Sequence, residues 1–210
     1  MVLKTFGRQV LRDAGGELAV AASYLLAWLF APWLPDGVLL AMVVAAMLQV
    51  FFPAALLGAV TPRGARGIFW CLFGHLALFT LIVFVASAGG QTRPDWWAVG
   101  LVQGPLLLRN LMRLTRPPHE KPVYWLEALG PLLLMMPAVL GGVVLDAVLP
   151  DLGLAGREIR FEHYAPLEAE HLKAALMIGF SYFSVYAVAR TGWEQLLASR
   201  GGRPLFELPE

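Results

Sequence analysis

The sequence is poor in cysteine and in charged residues. Cys71 is the only cysteine among 210 residues, and Asp, Glu, Lys and Arg together make up 15% of the chain. A lone cysteine cannot form a disulfide within the chain, and it excludes a metal site built from several cysteines. Soluble domains carry roughly 25% charged and 45–50% apolar residues, whereas this chain is 58% hydrophobic. The scarcity of charge therefore indicates a protein that lies largely in lipid.

The hydrophobic residues also lack the alternation of apolar and polar positions that is typical of membrane β-barrel strands. They come in long blocks, and a bilayer leaves helices as the way to satisfy the backbone within each block. We predict an all-α, polytopic membrane protein with six transmembrane helices in a single domain, residues 1–210. The predicted spans lie near residues 17–34, 37–60, 67–88, 95–113, 123–148 and 170–190, with an outer loop at 146–170.

A short amphipathic helix is predicted before the first span, within residues 1–15. Its apolar and basic side chains occupy separate faces, as in helices that lie at the membrane interface. The two sets are Leu3, Phe6 and Val10, and Lys4, Arg8 and Arg12.

The distribution of Lys and Arg predicts the orientation of the chain. With the N-terminus inside, twelve of the 16 basic residues fall on the inner side and four on the outer side. Positive charge accumulates on the cytoplasmic side of membrane proteins, so we expect both termini in the cytoplasm. Arginine far outnumbers lysine in this Ala-, Gly- and Leu-rich chain. That bias is typical of high-GC bacterial genomes and favours a bacterial inner membrane.

Three polar residues, Gln49, His75 and Gln103, fall near the middle of predicted spans. We predict that they form one polar layer inside the membrane. In a transporter or channel this layer would be a proton relay or a substrate contact, with His75 as the titrating group. Hydrogen bonds that only fix the packing of the helices are the plainer alternative. His75 alone cannot supply a bis-histidine haem site, and we expect no cofactor.

Glu127, one turn inside the fifth span, is predicted to be the only acidic residue clearly buried on the cytoplasmic side. A buried carboxylate needs a cationic partner or a proton. Arg109, at the end of the fourth span, is the predicted partner, and the pair would lie at the inner mouth of the protein. The pair serves either as a gate or proton site, or as an ordinary ion pair that holds the fourth and fifth spans together.

A basic cluster lies between the fourth and fifth spans. Three of its arginines recur at the i, i+4, i+7 spacing of one helix face, and the cluster consists of Arg109, Arg113, Arg116 and Lys121. It either binds the headgroup of an anionic phospholipid or follows the positive-inside rule with snorkelling side chains. A nucleic-acid partner is excluded because the patch is short and held at the bilayer.

The outer loop contains three weak candidates for a metal site: His163, Glu168 and His171. Glu168 and His171 have the E-x-x-H spacing, but di-metal bundles use two copies of that motif. The alternative is that Glu168 and Glu170 complement the positive end of a helix dipole, and we expect no metal. Residues 157–162 alternate charged and apolar residues, which predicts an edge strand or an interfacial flap.

Small residues at a spacing of four predict close helix packing at Gly100 and Gly104 and at Ala175 and Gly179. The sequence lacks a phosphate-binding loop and a nucleophile with a matching base, which disfavours an enzyme. Three functions stay open. They are a small transporter or channel-like protein, a non-catalytic subunit or assembly factor of a larger membrane complex, and an enzyme that binds lipid headgroups. We expect a homo-oligomer or a complex with another membrane protein.

Overall fold

The computed structural model describes residues 14–51, 64–87, 94–114, 133–152, 154, 157–159 and 167–199. These residues form six α-helices, one turn of 3-10 helix at Ala31–Trp33, and two very short strands. The helices are α1 (Gly15–Leu29), α2 (Asp36–Phe51), α3 (Ala65–Ser87), α4 (Trp96–Leu114), α5 (Met135–Val148) and α6 (Ala169–Ser199). The strands are β1 (Glu158–Ile159) and β2 (Leu167–Glu168). The predicted helical architecture is confirmed for this part of the chain.

Two of the described helices are long and apolar enough to cross a membrane, namely α3 and residues 170–189 of α6. Helices α1, α2 and α5 are apolar but shorter. Parts of the predicted second and fifth spans, and nearly all of the predicted interfacial helix, lie outside the described residues. The two long helices support a membrane protein, and the count of six spans remains a prediction.

Contacts at one end of the bundle show that α1 and α5 end there and that α2, α4 and α6 begin there. The Asp95 amide donates to the Gly37 carbonyl at 3.1 Å, which joins the starts of α2 and α4. The Trp28 indole donates to the Pro150 carbonyl at 3.2 Å, and Lys173 Nζ donates to Asp151 at 2.8 Å. We call this the loop end, because it holds the described part of the predicted outer loop.

Arg157 fastens the loop to the turn between α1 and α2. Its guanidinium donates to the carbonyls of Ala31 and Leu34, the latter at 2.5 Å, and lies 3.1 Å from a carboxylate oxygen of Asp36. Both carbonyls lie after the end of α1, and that of Ala31 also accepts from the Leu34 amide at 3.2 Å. Strand β1 pairs antiparallel with β2, so part of the segment predicted as strand or flap is indeed strand.

The core is built around α4 and α6. Helix α4 packs against α1, α2 and α3, while α6 packs against α1, α2 and α5. Helices α1 and α2 therefore lie between them, and nearly every residue of α2 from Val38 to Ala46 is buried. The ring of Tyr24 on α1 stacks on that of Phe183 on α6, with centroids 6.0 Å apart.

Helix α3 turns large apolar side chains away from the bundle. Phe69, Phe73 and Phe84 are all more than half exposed, and only 22% of the membrane-length window in α3 is buried, against 61% in α6. An apolar face of this extent is costly in water and favourable against lipid tails. It supports the interpretation of α3 as a membrane-facing helix.

A buried polar chain as the candidate functional site

Five buried polar side chains from three helices form one continuous series of ion-pair and hydrogen-bond contacts. We call the series the polar chain. It runs from α1 through α4 and α3 and back to α4, in the order Glu17, Arg109, Asn110, His75, Gln103. Each of these residues is less than a tenth exposed. A connected polar series of this kind inside an apolar bundle is the strongest candidate for a functional site.

The first contact is an ion pair between Glu17 and Arg109, which are 92 positions apart. Gly16 brings the start of α1 close to α4. A Cβ atom at Gly16 would lie 3.0 Å from the Pro105 carbonyl oxygen and 3.4 Å from Arg109 Cβ. The small residue therefore lets Glu17 reach the guanidinium. The pair offsets two charges that would each be very costly in a low-dielectric interior.

Arg109 then orients its neighbour Asn110. Arg109 Nε and Nη2 donate to Asn110 Oδ1 at 3.1 and 2.7 Å. Because a guanidinium has donors and no acceptor, the atom facing it must be the amide oxygen. The Asn110 amide nitrogen is thereby directed towards His75.

The hydrogen bonds run in the same donor-to-acceptor direction through the imidazole of His75. Asn110 Nδ2 lies 3.0 Å from His75 Nε2, and His75 Nδ1 lies 3.3 Å from Gln103 Oε1. An amide NH2 group can only donate, so Nε2 accepts and Nδ1 carries the proton that is donated to Gln103. The arrangement thus selects the neutral Nδ1–H form of His75.

Two of the three residues in the predicted polar layer are joined directly, since His75 and Gln103 share a hydrogen bond. Gln49 is fully buried on α2, but neither atom of its amide has a hydrogen-bond partner among the described residues. The structure therefore brings His75 and Gln103 together and leaves Gln49 without a bond to either. A role of the layer in a pathway remains a prediction.

Sequence reasoning missed Glu17 and Asn110, although each carried a signal. Glu17 is the only charged residue between Asp13 and Asp36, and Asn110 is the only asparagine in the chain. Glu17 is also fully buried, so Glu127 is not the only acidic residue to consider on this side. Glu127 lies outside the described residues, and the predicted pair with Arg109 stays a prediction.

The other predicted sites are described only in part. Within the basic cluster, Arg109 is buried and engaged by Glu17, while Arg116, Lys121 and the side chain of Arg113 lie outside the described part. Of the metal candidates, Glu168 and His171 are exposed and His163 lies outside the described residues. Among the residues that the structure describes, no group of three or more His, Cys, Asp or Glu side chains is placed to hold a metal.

No protein-family model matches the sequence, and no curated protein or solved structure matches it either. The fold and the site define a helical bundle that has two helices of membrane-spanning length and a buried, charged polar chain. Function has to be inferred from the chemistry of that site.

Proposed function

We propose that the chain is a six-span protein of a bacterial inner membrane with both termini in the cytoplasm. The directions of α1, α2, α4, α5 and α6 at the loop end and the apolar outward face of α3 support this topology. So does the excess of Lys and Arg that the sequence predicts on the inner side.

The topology predicts which positions a membrane-impermeant maleimide can label from outside. In a Cys71→Ala background, Asp151→Cys should react in intact spheroplasts, because Asp151 is exposed at the loop end. Arg66→Cys, which is exposed near the start of α3, should react only after the membrane is opened. Labelling of Arg66→Cys in intact spheroplasts would contradict the proposed orientation.

We further propose that the protein is a small transporter or channel-like protein, with the polar chain at the centre of its pathway. The burial of Glu17, Arg109, Asn110, His75 and Gln103 in one connected series carries this proposal. Replacing a buried ion pair with well-packed apolar residues is often neutral or stabilising. Stability alone therefore gives little reason to keep such a chain in a bilayer, whereas passage of a polar solute requires polar contacts.

His75→Ala should change solute flux while the protein stays folded. Purified protein would be reconstituted into liposomes, and proton flux (by an enclosed pH dye) and solute-driven swelling (by light scattering) would be measured. The substitution removes both hydrogen bonds of the ring, so flux, or its dependence on pH, should differ from that of the wild type. Leu76→Ala is the matched control, because Leu76 is the next residue of α3 and is 63% exposed. Equal flux in wild type, His75→Ala and protein-free liposomes would overturn the proposal.

The enzyme hypothesis assigned four basic residues to binding a lipid headgroup. One of them, Arg109, directs its guanidinium inward to Glu17 and Asn110 instead. In the subunit hypothesis, the small-residue helix faces and the outer loop would serve as docking surfaces for a partner. Leu154 and Ile159 of that loop are buried, and Arg157 bonds to the turn after α1. The described part of the loop thus contributes to the bundle itself, so deleting it would test stability as well as docking.

A further inference from the structure

We propose that the end of the polar chain binds a small uncharged solute with a carbonyl group, such as urea or a simple amide. Gln103 and Gln49 would make the hydrogen bonds to it. The inference names the substrate class of the proposed pathway and rests on the proposed transport function.

The direction of the polar chain supplies the first argument. Every contact from Arg109 onward is donated towards Gln103, whose Oε1 accepts from His75. The amide of Gln103 therefore ends the chain with its NH2 group, and Gln103 Nε2 is buried without a partner among the described residues. An amide nitrogen in this position requires an acceptor, and a carbonyl oxygen is a suitable one.

Gln49 supplies the second argument. It is fully buried, and both Nε2 and Oε1 are without a partner in the described part of the chain. Burying an amide without hydrogen bonds is costly, because the amide loses its bonds to water and gains none in return. A molecule that both donates and accepts would satisfy both atoms of this side chain.

The two glutamines lie on neighbouring helices, at depths that differ by about one helical turn. Helices α2 and α4 pack together and run parallel, with Gly37 and Asp95 bonded at the loop end. Gln49 is 12 residues beyond Gly37 and Gln103 is 8 residues beyond Asp95. At 1.5 Å per residue they lie about 18 and about 12 Å from that end, a difference of about one helical turn.

The buried charges of the described residues favour an uncharged solute. The two described charges of the polar chain, on Glu17 and Arg109, offset each other. The other buried charged side chain in the described residues, Lys173, lies at the loop end beside Asp151. An ion at the glutamines would enter a low-dielectric site without an opposite charge, which is costly. Urea and simple amides avoid that cost and present both a carbonyl acceptor and N–H donors.

The test compares solutes of matched shape and different charge. Proteoliposomes containing the full chain would be exposed to gradients of urea, acetamide, guanidinium, acetate or glycerol, and re-swelling would be followed by stopped-flow light scattering. Urea or acetamide should enter faster than in protein-free liposomes, whereas guanidinium, acetate and glycerol should not. Gln49→Leu and Gln103→Leu should each lower the protein-dependent rate about two- to tenfold, as expected for one lost hydrogen bond.

Two controls separate this effect from misfolding. Thr80→Val removes a hydroxyl from the exposed face of α3 and should leave the rate unchanged. Gln49→Leu removes an amide that has no described partner, so its melting temperature should equal or exceed that of the wild type. A rate that is unchanged in Gln49→Leu would overturn the inference.

The solute panel also separates this inference from the proposed function. Protein-dependent entry of guanidinium or acetate, or His75-dependent proton flux without entry of urea or acetamide, would overturn the inference and leave transport standing. If the protein speeds the entry of glycerol as much as that of urea, then the solute does not need a carbonyl group and the inference is overturned. The absence of flux for every solute and for protons would overturn both.

Discussion

Replacing Arg109 with leucine should lower the free energy of unfolding by about 3–5 kcal/mol, the range measured when one partner of a buried ion pair is removed. The substitution leaves the fully buried Glu17 carboxylate without its described cationic partner. It also removes the two Arg109 donors to Asn110 Oδ1, which help to direct the Asn110 amide nitrogen towards His75. Thermal unfolding of the purified protein in a mild detergent would measure the loss.

The double variant Glu17→Leu/Arg109→Leu should recover much of that loss, because both charges are then gone. The two substitutions should therefore be strongly non-additive, as is expected for residues in direct contact. Arg66→Leu is the control, since Arg66 is exposed at the start of α3, and it should change the melting temperature little. Additive losses from Glu17→Leu and Arg109→Leu would contradict the pairing.

The same series tests the partner that the sequence predicted. If Glu17 is the main partner of Arg109, then Glu17→Leu should destabilise the protein about as much as Arg109→Leu does. Glu127→Gln should then lower the melting temperature less. The opposite ranking would favour the inner-mouth pair between Arg109 and Glu127. The comparison needs only single variants and the same thermal assay.

The long apolar blocks of the sequence and its few charged residues predicted the helical architecture. A long apolar block in lipid has few ways to satisfy the hydrogen bonds of its backbone. These features also placed His75 and Gln103 at compatible depths. They did not identify the partner of Arg109, because Glu17 is 92 positions away and looked like the boundary of the first span. Pairing across such a distance depends on which helices are neighbours, and hydrophobic periodicity does not determine that. Asn110 was missed because its neighbour Arg109 was assigned to the basic cluster.

Close helix packing was also predicted only in part. The Gly100 and Gly104 pair was expected at a helix contact, yet a Cβ atom at either position would have no heavy atom within 4 Å among the described neighbours. Gly179 does lie at a contact, because a Cβ there would be 3.0 Å from the ring of Tyr24. The spacing of small residues finds positions where helices can approach closely, and the facing side chains decide which positions are used.

Gly142, which lies four residues after Ala138, makes the tightest contact with backbone atoms among the described glycines. A Cβ at Gly142 would lie 2.6 Å from Ile178 Cα and 2.8 Å from Ile178 N, both backbone atoms of α6. Because backbone cannot rotate away as a side chain can, Gly142→Ala should force α5 and α6 apart. We expect it to lower the free energy of unfolding by about 1–3 kcal/mol or more, the cost of overpacking a well-filled core.

Two other alanine substitutions make the Gly142 test specific. Gly141→Ala would meet the Oγ of Ser181 at 2.6 Å, and this hydroxyl can rotate, so the loss of stability should be smaller than for Gly142→Ala. Gly100→Ala enters open space in α4 and should leave stability unchanged or raise it by about 0.5–1 kcal/mol, because alanine favours the helix over glycine. Melting temperatures should therefore rank Gly100→Ala highest, Gly141→Ala next and Gly142→Ala lowest. If Gly142→Ala and Gly100→Ala have the same melting temperature, then α5 does not pack on α6 at Ile178.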